Sequence, residues 1–179
     1  QYGYRVLVLC RGNRRTKIDQ ETSCVTGKLD PVALFIIKDN IRKEAKPTID
    51  WFNENGVEVK IISGDNALTV SKIAEQAGVL GADKCISLEN MSDDEVILAA
   101  TRFNVFGRVT PDQKALIIKT LQKNNKKVGF MGDGINDIVA LKTADCSITV
   151  SSGSEAVKSI SQVVLLDNDF SNLPSVVYE

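Results

Sequence analysis

Three short stretches set hydroxyl, carboxylate and ammonium groups directly after apolar, strand-like runs, which is where open α/β sheets present groups to a ligand. In Ile61-Ile62-Ser63-Gly64-Asp65-Asn66 an apolar run delivers a hydroxyl, a glycine and a carboxylate. Ser63 can hydrogen-bond a phosphoryl oxygen, and amides at a following helix N-terminus add donors. Alone, the same residues also describe an ordinary turn and helix cap. In Phe106-Gly107-Arg108-Val109-Thr110-Pro111-Asp112-Gln113-Lys114, proline suits the first turn of a helix and Lys114 falls one turn in. A cation there opposes the helix dipole, and its charge is well used when an anion lies in front of the helix; alone, it reads better as a surface lysine. In Gly129-Phe130-Met131-Gly132-Asp133-Gly134-Ile135-Asn136-Asp137 two glycines flank one carboxylate and a second carboxylate follows four residues on. Glycine permits close backbone approach to a ligand, and Asp133 and Asp137 offer the oxygen donors that Mg²⁺ prefers. The pattern is not G-x-G-x-x-G, so a dinucleotide site has little support.

Composition narrows the chemistry further. There is no histidine, which removes Ser-His-Asp triads, Cys-His dyads and His-ligated metals. The 22 basic and 23 acidic side chains nearly cancel and only the pairs Arg14-Arg15 and Lys126-Lys127 stand out, so nucleic acid is not expected as a partner. Cys10, Cys24, Cys85 and Cys146 form no C-x-x-C pair and read as free thiols of a reducing compartment. No stretch approaches the roughly 20 apolar residues of a membrane span, and the start does not resemble a signal peptide.

The elements that must position these groups are legible as alternation of short β-branched runs with amphipathic segments, the signature of a parallel sheet with crossover helices. With 179 residues, 43% of them apolar, one α/β core is expected. Strands are expected at Tyr4-Leu9, Val32-Ile37, Val57-Ile62, Lys84-Leu88, Val105-Val109, Val128-Met131, Cys146-Val150 and Val163-Leu166, and helices at Arg42-Asn55, Ala67-Ala77, Ser92-Ala100, Pro111-Asn124 and Asn136-Lys142. Asp39 or Asn40 can open the first helix, and Gly56 and Gly78 can end the first and second. Arg11-Lys28 is polar and poor in large aliphatics, and reads as a loop or small hairpin leading into the main domain. The chain opens on a strand without an initiating methionine and closes within a helical Val176-Val177-Tyr178-Glu179, so both ends are expected to be cuts through a larger protein.

The order S-G-D-N, G-R-V-T-P-D-Q-K and M-G-D-G-I-N-D-I-V-A-L resembles the haloacid-dehalogenase-like phosphorylation domain of P-type cation-transporting ATPases, from about Leu29 to the end. The resemblance implies a three-layer α/β/α domain with a parallel sheet. It further implies that Ser63 and Lys114 bind the phosphoryl group of an aspartyl-phosphate, that Asp133 holds Mg²⁺, and that Asn136 and Asp137 complete the phosphate and metal site. Gly64, Asp65 and Arg108 match positions that contact ATP or hold the site together, and Asp39-Asn40-Ile41-Arg42 resembles the hinge at which a nucleotide-binding domain returns. Residues 1–28 are then the end of the nucleotide-binding domain and its exit loop, and residues 29–179 the C-terminal portion of the phosphorylation domain.

Two departures bear on activity. Ser63 stands where the family usually has threonine, which keeps the hydroxyl. The Asp-Lys-Thr-Gly-Thr motif that carries the nucleophilic aspartate is nowhere in the chain. The implied function is that of one part of an ATP-driven cation pump at the cytoplasmic side of a membrane. Its cofactors are Mg²⁺ and ATP. Its partners are ATP, the nucleotide-binding, actuator and membrane domains of the same polypeptide, and a cation carried by helices outside this chain. The isolated chain is expected to be inactive. The competing reading, a soluble phosphatase of the same superfamily, takes Val163-Val164-Leu165-Leu166-Asp167-Asn168-Asp169 as its strand and D-x-D. No Gly-Thr follows, and the segment comes after the G-D-G motif, so it reads better as a strand end and turn.

Overall fold

A computed structural model describes residues 5–178 apart from Gln20, Ser23 and Asp39. Tyr4, Asp39 and Glu179, used above, therefore lie outside the described residues. The chain forms two compact units, Gln1–Asn40 and Ile41–Glu179.

The first unit is antiparallel throughout. Strand β1 (Arg5–Gly12) pairs with β4 (Leu29–Ile37), and between them β2 (Lys17–Ile18) and β3 (Val25–Thr26) make a small hairpin. The Asp19 carboxylate accepts from the amides of Glu21 and Thr22, which shapes the tip. Gly27 has φ +105°, a conformation side chains resist, and a Cβ there would lie 3.1 Å from the Arg15 carbonyl oxygen. Within the segment expected as a loop or small hairpin, β2 and β3 thus form a two-stranded sheet of their own. The two compact units divide at Asn40/Ile41, and the strand expected at 32–37 lies within β4, which pairs with β1 and not with the parallel strands. Apolar side chains stand on both faces of this ladder, and Val6, Leu7, Val8, Leu34, Phe35 and Ile36 are each more than half exposed.

The second unit alternates helices with parallel strands. In order these are α1 (Ala45–Glu54), β5 (Ile61–Ile62), α2 (Ala67–Ala77), β6 (Cys85–Ser87), α3 (Asp93–Ala100), β7 (Val105–Gly107), α4 (Pro111–Lys123), β8 (Gly129–Met131), α5 (Ile138–Thr143), β9 (Cys146–Val150), α6 (Glu155–Lys158), β10 (Val163–Leu165) and α7 (Leu173–Tyr178). The strands form two parallel sheets, ordered β5-β7-β6 and β10-β9-β8. The expected α/β class with parallel strands and flanking helices is what the chain adopts.

Local chemistry explains most helix ends. Asn66 caps α2 by accepting from the Leu68 amide, and Gly78 ends it at φ 91°. Ser92 with Glu95 and Thr110 with Gln113 form capping boxes at α3 and α4, and Pro111 occupies the first turn of α4. Helix α1 begins later than expected, after Glu44 and with no side-chain cap, so Asn40 does not open it; Asn55 precedes Gly56 as its C-cap. The strand expected at 57–62 shrinks to Ile61–Ile62, since only those residues pair with β7. The helix expected at 136–142 is a 3-10 turn, Ile135–Asp137, followed by α5.

Helix α4 joins the two halves of the core. Ile117, fully buried, packs with Leu88, Val96 and Phe106 on one side, while the adjacent Ile118 packs with Phe130, Leu141 and Val157 on the other. Ile62 of β5 packs against both groups. Among the described residues no helix is long and apolar enough to cross a membrane.

Candidate functional site

The ends of β5 and β7 are locked together by backbone. Ser63 donates its amide to the Phe106 carbonyl at 3.0 Å and its carbonyl accepts from the Val109 amide at 3.1 Å, while Arg108 donates its amide to the Asp65 carbonyl at 2.8 Å. The Ser63 hydroxyl accepts from the Asp65 amide at 3.1 Å. Arg108 needs φ 53° to make this turn. Gly107, the buried last residue of β7, must be glycine: a Cβ there would lie 2.4 Å from the backbone nitrogen of Ala67, the first residue of α2. Gly64 meets nothing within 4 Å, so the space in front of it is open. Ser63 is half-buried; Gly64, Asp65 and Arg108 are exposed.

Helix α4 carries Lys114 from the end of β7 to the end of β8. Its ammonium lies 2.6 Å from Asp137 Oδ1, and the two side chains are only 14% and 11% exposed. Asp137 Oδ2 accepts from the Gly134 amide at 3.2 Å, so both carboxylate oxygens are engaged. Gly132 is also required, because a Cβ would sit 2.7 Å from Asp137 Cβ. Asp133 and Asn136 are exposed on the same loop, and the Asp133 carbonyl accepts from the Ser154 amide at 3.2 Å.

The structure therefore brings together Lys114, Asp137 and the glycines around Asp133, and separately ties Ser63, Asp65 and Arg108 through the backbone. Lysine has three N–H donors, and one directed at Asp137 leaves two for an incoming anion. The ion pair fixes where that charge sits. As for a metal, among the described residues no group of three His, Cys, Asp or Glu is arranged to hold one. Asp133 alone has an exposed carboxylate on the loop, which fits Mg²⁺, an ion that keeps several waters and takes one or two carboxylates plus phosphate oxygens. Sequence reasoning missed Gly107, Gln113 and Ser154. Gln113 donates from Nε2 to the Leu88 carbonyl at 3.0 Å, holding the start of α4 beside β6. A glycine inside an apolar strand was the available signal for the first and the Thr-x-x-Gln capping-box spacing from Thr110 for the second, while nothing local marked Ser154 as a contact of Asp133.

A family model described as haloacid dehalogenase-like hydrolase matches residues 5–145. A probable cation-transporting ATPase of Streptococcus pneumoniae serotype 4 is 40% identical over 99% of this chain and 22% of its own length. A calcium-transporting ATPase of Mycobacterium tuberculosis is 38% identical over 99% of this chain and 22% of its own. A magnesium-transporting P-type ATPase of Salmonella typhimurium is 35% identical over 93% of this chain and 19% of its own. The chain thus spans about a fifth of the length of these curated relatives. A solved catalytic domain of a CPx-ATPase, studied for its changes upon nucleotide binding, superposes with a TM-score of 0.61 at 23% identity, covering 92% of this chain and 57% of that one, and shows the shared fold.

Proposed function

The chain belongs to the haloacid dehalogenase-like hydrolases, and from that premise we propose that it is the phosphate-handling part of the phosphorylation domain of an ATP-driven cation pump. One observation carries the reading. Strands β5 and β8, whose C-terminal ends lead into Ser63 and Asp133, are each paired on one edge only among the described residues. A parallel strand entering between them would satisfy both ladders and deliver a carboxylate between the Ser63 hydroxyl and the Lys114 ammonium. In this reading that strand carries the nucleophilic aspartate and lies outside this chain.

The residues then divide the work of phosphoryl transfer, which is mostly positioning and charge stabilisation. The Ser63 hydroxyl and the amides opening α2 donate to phosphoryl oxygens. Lys114, held by Asp137, neutralises charge that builds on them. Asp133 holds Mg²⁺, and Asn136 completes the loop around the phosphate. When bound, the metal draws charge from the transferring group. Gly64, Asp65 and Arg108 lie at the nucleotide side of the site. The unit Gln1–Asn40 is the end of the nucleotide-binding domain, and its exposed apolar faces are covered by the remainder of that domain. The full polypeptide sits with this part on the cytoplasmic side of a membrane. Relatives named for calcium and magnesium transport support a hard cation as cargo.

The soluble-phosphatase reading is weaker on geometry. Asp167 lies two residues beyond β10, the outer strand of its sheet, with β9 between it and β8. The test is Mg²⁺-dependent hydrolysis of acetyl phosphate and para-nitrophenyl phosphate by the purified chain, alone and after addition of a segment bearing an Asp-Lys-Thr-Gly-Thr strand. Activity only on complementation is expected. Turnover by the chain alone that disappears in Asp167→Asn would replace the pump reading with the phosphatase.

A further inference from the structure

We propose that Asn168 is a positioning residue for Asp133, acting through the turn that follows β9. The inference rests on the reading that Asp133 holds Mg²⁺. Among the described residues, the Asp133 backbone is held from outside its own loop by the Ser154 amide, which donates to its carbonyl. Where Asp133 sits therefore depends on where the turn 151–154 sits.

The Asn168 side chain anchors that turn at Ser151 and Ser152, where the Ser151 hydroxyl also donates to the Leu166 carbonyl at 2.8 Å. Asn168 Oδ1 accepts from the Ser152 amide at 2.8 Å and lies 3.0 Å from the Ser151 hydroxyl. The Ser151 amide also donates to the Leu165 carbonyl at 2.9 Å, joining the turn to β10. The turn has little slack: at Gly153 a Cβ would lie 2.8 Å from Thr149 Oγ1 and 3.0 Å from the Val150 carbonyl oxygen. A displacement of Ser152 is passed to Ser154 and so to the Asp133 carbonyl.

Asn168 is itself anchored by its main chain. It adopts φ 54°, which asparagine tolerates better than most residues. Its carbonyl accepts from Arg42 Nη1 at 2.7 Å, and the same nitrogen lies 4.0 Å from Asp169 Oδ1. Arg42 is the second residue of the second unit, directly after the division at Asn40. A continuous series of contacts thus runs from the start of this unit through Asn168 to the metal-binding loop.

Asn168→Gly removes the side-chain acceptor while leaving the left-handed backbone unstrained, and Asn168→Asp restores an oxygen at the same place. The experiment follows backbone amide resonances of Gly132, Asp133 and Gly134 in the full 179-residue chain, before and during titration with MgCl₂. Asn168→Gly is expected to shift these three resonances without metal and to weaken Mg²⁺ binding about tenfold, the scale seen when an outer contact of a metal ligand is lost. Asn168→Asp is expected to restore both. Val163→Ala on β10, which lowers stability away from the turn, is expected to change neither. The proposal is overturned if Asn168→Gly leaves the three resonances unmoved, if Asn168→Asp behaves like Asn168→Gly, or if Val163→Ala weakens Mg²⁺ to the same degree. Failure of the unaltered chain to bind Mg²⁺ removes the metal assignment, and the metal-free resonance shifts still decide whether Asn168 positions Asp133.

Discussion

A double-mutant cycle measures how strongly Lys114 and Asp137 are coupled in the folded chain. At 2.6 Å and an effective dielectric of about 20, the gross attraction is about 6 kcal/mol, opposed by the cost of taking both charges out of water. Removing one partner of a buried pair strands the other, which costs about 3–5 kcal/mol when burial is complete. With 14% and 11% exposure remaining, about 3 kcal/mol is expected for Lys114→Met and for Asp137→Asn alike. The double variant is expected to cost clearly less than either single one, because it leaves no uncompensated charge. The assay is urea unfolding followed by fluorescence of Trp51, the single tryptophan of the chain, which lies on α1 and so reports the second unit. Lys127 provides the contrast, since its contact with Asp145 is 3.4 Å and its side chain is 91% exposed; Lys127→Ala is expected to cost under about 1 kcal/mol. Single-variant costs at Lys114 and Asp137 that are equally small and simply additive would refute the reasoning. The lysine would then be a solvated surface charge with no fixed position to offer a phosphoryl group.

Two further outcomes follow from the same geometry. Gly107→Ala drives a methyl into the backbone of Ala67, and with neither chain segment free to yield it is expected to destabilise the second unit by about 3 kcal/mol or more, measured by the same unfolding assay. The Asp145 carboxylate is held below the usual carboxylate range by the Val128 amide, then by Gln122, with Lys127 adding a smaller pull. A depressed folded value means that its contribution is present above the unfolded value of about 4 and is lost as pH falls through the folded value. Unfolding midpoints of Asp145→Asn measured from about pH 7 down to about pH 3 are therefore expected to fall less steeply than those of the unaltered chain, and parallel curves would show that the Val128 contact does not favour the ionised form.

What could be read from the sequence is what depends on neighbours in sequence. The capping boxes at Ser92 and Thr110 and the left-handed Gly78 each involve groups within four residues, so helix boundaries there followed from local chemistry. The pairing of β4 was not legible, because Leu29–Ile37 has the same aliphatic character whether it pairs antiparallel to β1 or joins a parallel sheet. At the site, the types and order of Ser63, Lys114, Asp133 and Asp137 were visible, but not that Lys114 and Asp137, 23 residues apart, meet as an ion pair. That contact depends on α4 lying between two halves of a core, with Ile117 facing one and Ile118 the other. The same division explains why the site is built as it is. Helix α4 is held by apolar packing on both sides, so its first turn is fixed relative to β5 and to β8 alike, and a cation placed there keeps its position whether or not an anion is present. A lysine on a loop would have to be ordered by the incoming anion itself, at the cost of the rotamer freedom that Asp137 and the core have already removed.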